Sequence, residues 1–309
     1  MILCCGEALI DMLPRATASG ETAFLPCAGG AAFNTAIALG RLGVPAGLFS
    51  GLSADFMGEL LRDALTRANV DYARAASSSR PTTLAFVQLV DGHARYAFYD
   101  ENTAGRMLAH SDLPAPDNDT TACLFGGVSL IAEPCGGVYE ALMAREAPQR
   151  VMFLDPNIRA NLMTDREKHL ARLRRMITLA DIVKLSDEDL AWFGESGSDE
   201  DITARWLARG PRLVVITRGA AGADAYSATA RVRVAGKKVP VVDTVGAGDT
   251  VNAGILTSLH RQGLLSKAAI AGLSGEQIRA ALELGVHAAA ITVARAGANP
   301  PWASEMTGG

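Results

Sequence analysis

The chain has 309 residues, 49% of them hydrophobic, with 29 basic and 33 acidic side chains giving a net charge of −4. That length and apolar share support a large core, and the lack of a basic stripe argues against a nucleic-acid or membrane-surface partner and for a small soluble substrate. No stretch approaches the roughly 18 apolar residues that cross a bilayer, and the start lacks a basic n-region and a small-residue cleavage site, so a cytoplasmic protein is expected.

In chain order, MILCCGEALIDMLP (1–14) reads as a first strand, with adjacent Cys4 and Cys5 facing opposite sides. The cysteines at 4, 5, 27, 123 and 135 are odd in number and show no CxxC spacing, which suits reduced, buried thiols. Five scattered histidines give no pattern for a protein-built zinc site. Segments 9–28 and 82–104 alternate apolar and polar residues, and DGH at 91–93 is a hairpin-turn signal, predicting a small antiparallel β lid. Between them, GGAAFNTAIALGRLG (29–43) predicts a helix with Ile37, Ala38 and Leu42 on its buried side.

From about residue 110 onward, short β-branched runs alternate with longer amphipathic segments. The runs are TACLFGG (121–127), RVMFLDPN (150–157), DIVKLS (181–186) and RLVVITRG (212–219), and segments 166–180 and 201–210 have helical spacing. This predicts an α/β fold, a doubly wound and mostly parallel sheet with helices on both faces. No linker divides it, so a single unit over 1–309 is expected, with a lid formed by about 11–28 and 82–104. The four runs end in Gly126-Gly127, Asp155 to Arg159, Lys184 to Ser186 and Thr217 to Gly219. Ligands of open parallel sheets bind beyond such strand ends, so these endings form a candidate rim.

The stretch VDTVGAGDTVNAGI (242–255) carries the chemistry. Gly246, Ala247 and Gly248 lack bulk, so their backbone can turn tightly and aim N–H groups at an anion, with the dipole of the following helix adding to them. Asp249, in the first turn, is expected to stay ionised beside that anion hole and to take a proton from an attacking hydroxyl, an arrangement suited to phosphoryl transfer. The competing explanation is a helix cap. Neither a Walker A lysine nor a GxGxxG fingerprint is present.

DTVGAGD (243–249) together with GGAAFNTA (29–36) resembles the paired motifs of the ribokinase-like carbohydrate kinases, the PfkB family. GEALIDML and GANPPW are most similar to its bacterial fructokinases, and the resemblance spans essentially the whole chain. It implies that Asp249 is the base and that the amides of Gly246, Ala247 and Gly248 stabilise the phosphoryl group in flight. It implies sugar contacts from Asp11, Gly29, Gly30 and Asn34, with Arg159 near the sugar or the transferred phosphate and Phe98 as a covering residue. Nucleotide contacts are implied for Lys184, Ser186, Thr217, Gly219 and Gly222, and an adenine contact for His287, for which a core role is an equal alternative. Backbone carbonyls near Asp243 and Val245 resemble a monovalent-cation site, which would make K⁺ an activator. Ser186 and Asp189 stand where many relatives have an asparagine and a glutamate that organise Mg²⁺, so neither is assigned as a metal ligand.

The implied function is an ATP-dependent, Mg²⁺-requiring sugar kinase acting on a primary hydroxyl, with fructose the first choice. 2-Keto-3-deoxygluconate and ribose are alternatives, and an inactive sugar- or nucleotide-binding regulator is the alternative of a different class. Lid pairing would permit a homodimer.

Overall fold

Strand β1 (Ile2–Cys5) is buried at every position, as a central parallel strand covered on both faces should be. Cys4 joins the apolar layer on one face and Cys5 the layer on the other. In this computed structural model, which describes residues 1–90, 93–115 and 117–306 with the backbone alone at 88–90 and 93–96, the chain then leaves that sheet. The expected single strand over 1–14 is two strands in different sheets. It continues through β2 (Leu9–Ala16), β3 (Thr22–Gly29), α1 (Ala31–Arg41), β4 (Ala46–Phe49), β5 (Gly51–Ser53), α2 (Phe56–Arg67), β6 (Val70–Asp71) and β7 (Ala76–Ser78). Next come β8 (Leu84–Val90), β9 (His93–Tyr99), β10 (Ala122–Gly126), α3 (Cys135–Glu146), β11 (Val151–Asp155), α4 (Arg166–Leu179), β12 (Ile182–Ser186), α5 (Asp187–Trp192) and α6 (Asp199–Leu207). The last elements are β13 (Leu213–Thr217), β14 (Ala223–Tyr226), β15 (Arg231–Val234), α7 (Ala247–Arg261), α8 (Lys267–Ala271) and α9 (Gly275–Val293).

The nine-stranded sheet has the order β15-β14-β13-β12-β11-β10-β1-β4-β6. Its pairings are parallel from β6 to β13 and antiparallel only at β14 and β15. The four runs read from the sequence are consecutive neighbours, β10 to β13. Helices α1, α7 and α9 cover one face, and α3, α4 and α6 the other. The segments expected to form a lid build a four-stranded sheet of order β3-β2-β8-β9, two antiparallel pairs joined by a parallel pairing of β2 with β8. Of the turn expected at 91–93, residues 91 and 92 lie outside the described residues.

Two helices matter for the site. Helix α1 is buried nearly all round, including Ala32, Phe33, Thr35 and Gly40 besides the expected side, because it is wedged between the sheet and α7. Helix α7 is buried at every position from Asp249 to Leu259. Whereas α2, α4, α6 and α9 each start on an Asp or Ser side chain that accepts a backbone N–H, α7 starts at Gly246 with no side-chain cap. The Ala247 N–H donates to the Thr244 carbonyl, and the next N–H, that of Gly248, is left to another acceptor. Among the described residues no helix is long and apolar enough to cross a membrane.

Candidate active site

Where the strand ends of the large sheet meet the lid, a cavity of about 290 Å³ opens. Its wall on the helix side is the start of α7. Gly246 holds φ 76°, and a methyl group there would stand 2.7 Å from the Ala298 Cβ, so both backbone shape and space call for glycine. Gly248 and Asp249 follow in the same wall, with Val245 before them, while Ala247 does not line the cavity.

Asp249 is 7% exposed. Its Oδ2 accepts a hydrogen bond from Asn34 Nδ2 at 2.9 Å, which joins α1 to α7 across 215 residues of chain. Burial pushes its carboxyl up to about 7, and the Asp155 carboxylate adds to this while Asn34 and Lys184 oppose it. The sequence predicts that the helix N-terminus keeps Asp249 ionised; burial works against this by taking water from the carboxylate, while the Asn34 hydrogen bond works for it.

The opposite wall comes from the smaller sheet and from Gly30, which joins it to α1. Asp11, on β2, faces the cavity with Phe98, on β9. Burial, with Glu7 nearby, raises the Asp11 carboxyl to about 6. Strand β3 ends at Gly29, and α1 begins after the single residue Gly30, whose φ of 109° only glycine adopts readily. Gly30 lines the cavity and Gly29 does not.

The floor is made by strand ends. Lys184, near the end of β12, is 4% exposed, and its Nζ lies 2.9 Å from Asp155 Oδ2 at the end of β11. Asn252 Nδ2, from α7, donates to the same oxygen at 2.7 Å. Arg159 is exposed at the rim, where it donates to the Ile158 carbonyl; among the described residues no carboxylate pairs with it.

The remaining predicted residues lie outside this cavity. Ser186 caps α5, accepting from Asp189 N at 3.0 Å, while Asp189 also accepts from Ile158 N and so ties α5 to the loop after β11. Thr217 ends β13, and Gly219 and Gly222 bracket the turn into β14. That turn packs on Val234 to Gly236, which border a second cavity of about 620 Å³ lined also by His287. There Lys237 Nζ donates to His287 Nδ1 at 3.0 Å, so His287 is no core residue. The Asp243 carboxylate accepts from Val245 N and Gly297 N, bracing the segment ahead of Gly246.

Sequence reasoning left out Glu7 and Asn252 as site residues, and placed Asp155 only among the strand endings of the rim. Glu7 lines the cavity and accepts from Ala31 N at 3.0 Å and Ser129 N at 3.1 Å, clamping the start of α1 to the loop after β10. A carboxylate between buried apolar residues was its signal. Asn252 follows Asp249 by three residues, which puts both on one face of α7.

A pfkB family carbohydrate kinase profile matches residues 1–305. The chain belongs to the pfkB family of carbohydrate kinases. It is therefore a phosphotransferase whose acceptor is a sugar hydroxyl. A fructokinase of Rhizobium leguminosarum bv. trifolii is 56% identical to this kinase over 279 residues, which is 90% of this chain and 86% of the relative. A fructokinase of Xylella fastidiosa, solved with bound ATP, matches with a TM-score of 0.89 at 31% identity, covering 99% of this chain and 96% of that one. A fructokinase of Vibrio cholerae O395, solved with fructose, ADP and calcium ion, matches with a TM-score of 0.82 at 26% identity, covering 96% and 94% of the two chains.

Proposed function

We propose that this pfkB kinase transfers the γ-phosphoryl group of ATP to the primary hydroxyl of fructose, giving fructose 6-phosphate. The observation that carries this reading is a buried carboxylate at an uncapped helix start, facing a lid across a sugar-sized cavity. The choice of fructose rests on the 56% identical fructokinase.

Asp249, with its carboxyl near neutrality, is poised as a general base. It takes the proton of the sugar hydroxyl as that oxygen attacks the γ-phosphorus and ADP leaves. The N–H groups of Gly246 and Gly248, which no acceptor among the described residues engages, hold the phosphoryl oxygens, whereas the Ala247 N–H of the predicted anion hole donates to the Thr244 carbonyl at 3.3 Å. Asp11, Gly29, Gly30 and Asn34 hold the sugar, Phe98 covers it and Arg159 closes the rim. ATP runs from Lys184 past Ser186, Thr217, Gly219 and Gly222 toward His287, along the ends of β12 and β13 and the turn into β14.

Mg²⁺ neutralises phosphate charge when bound with ATP. The donor set fits it, since Asp155 Oδ1 and Asn252 Oδ1 are buried without a hydrogen-bond partner, and these oxygens would face the ion or its waters. K⁺ also fits, because no N–H among the described residues engages the carbonyls of Asp243 and Val245. The chain works as one unit over 1–309 with its lid at 11–28 and 82–104, in the cytoplasm, where its five thiols stay reduced. The outer lid face, with Phe24 42% and Tyr99 62% exposed around Phe86, pairs with a second copy; sedimentation as a monomer would remove this point.

The test is ADP release across ketoses, aldoses, sugar acids and nucleosides. Fructose should give the highest kcat/KM. A higher value for 2-keto-3-deoxygluconate or ribose would replace the acceptor, and no ADP with any of them would leave a binding regulator.

A further inference from the structure

Helix α7 presents Asp249 and Asn252 on one face, but of the two only Asp249 lines the cavity. Asn252 is 1% exposed and spends its Nδ2 on Asp155 Oδ2, the same oxygen that holds the Lys184 ammonium. The ammonium in turn lies against the GAGD backbone, since a methyl carbon on Gly248 would stand 3.0 Å from Nζ. We infer that Asn252 is a positioning residue for phosphoryl transfer, which acts through Asp155 to fix the Lys184 ammonium beside the anion hole of α7. This rests on the kinase reading above.

Three points support it. An ammonium has three N–H donors, and among the described residues only Asp155 engages one of them, so two remain for an anion in the cavity. A lysine side chain has four rotatable bonds, and a single carboxylate fixes its tip only if that carboxylate is itself fixed; Asn252 supplies the second anchor. A buried ion pair also contributes little net stability compared with apolar side chains of similar size, so Asp155 and Lys184, each 5% exposed in their side chains, are poorly explained as fold stabilisers.

The experiment is a double-mutant cycle of Asn252→Ala and Lys184→Met, read as kcat and fructose KM at saturating Mg²⁺-ATP and as ADP affinity in the absence of metal. Asn252→Ala alone should lower kcat at least about tenfold, as expected for a misplaced charged group, with fructose KM changed less than about twofold. In the Lys184→Met background the same change should cost almost nothing, in turnover and in ADP affinity alike. Losses that multiply, or a kcat unmoved by Asn252→Ala, overturn the inference. If Asn252→Ala does not fold, Asn252→Ser keeps a donor at that place and is read in the same cycle. Should the native protein release no ADP with any sugar, the kinase reading fails, while the ADP-affinity cycle still decides whether Asn252 acts through Lys184.

Discussion

The two walls of the cavity are built in opposite ways. On the α7 side every charged group is held by another part of the chain: Asp249 by Asn34, and Lys184 by Asp155, which Asn252 also holds. On the lid side Asp11 has no hydrogen-bond partner among the described residues, and β3 is mostly exposed or half-buried. A reaction centre gains from groups fixed before the substrate arrives, because no reorganisation is then needed at the moment of transfer. An acceptor site gains from groups whose bonds are still unmade, because the ligand supplies them. On the reading proposed above, the phosphoryl end is thus preorganised, and the sugar end is completed by its substrate.

This contrast can be broken by experiment. Asp249→Asn should lower kcat by about 10²- to 10⁴-fold, the usual worth of a general base, with ADP release as the measurement. The pH profile should show the same group. Because the Asp249 carboxyl is raised to about 7 and its ionised form is needed, kcat/KM should fall about tenfold per pH unit below about 7 and level off above it; a flat profile down to pH 5 would remove Asp249 as the base. Asp11→Ala should act chiefly on fructose KM, raising it about tenfold for a lost hydrogen-bonding carboxylate, with kcat affected far less than by Asp249→Asn. Equal losses in kcat at both sites would erase the distinction between the walls. The smallest effect is on stability. A carboxyl raised above its unfolded value costs stability at pH above about 7, where it is ionised and buried, and this cost disappears as pH falls toward 3.8. Asp249→Asn should therefore raise Tm by about 2–4 °C at pH 8 and change it little at pH 4, as followed by thermal scans.

The parallel core was legible because β10 to β13 are β-branched runs with polar endings, and the GAGD stretch because glycines before a helix have few other uses. Four things were hidden. The run 1–14 reads as one strand although the switch between sheets falls at Gly6 to Ala8, because the first two residues of β2, Leu9 and Ile10, are as apolar and buried as β1. Strands β4 and β6, four and two residues long, are too short for a periodicity to show. The protonation of Asp249 depends on how completely α1, α7 and the sheet exclude water, which no local spacing encodes. Asn252 was overlooked because an asparagine three residues after a reactive aspartate also looks like ordinary helix surface until β11 is placed against it.

The junction at Gly29 and Gly30 links these observations. The lid strand β3 passes through a single left-handed glycine into α1, whose fourth residue, Asn34, holds the base. The backbone of β3 is therefore continuous, through Gly30, with the helix that carries the hydrogen-bond partner of Asp249. If Asp249 is the base, substitutions in β3 made to change the acceptor should shift the pH profile of kcat/KM as well.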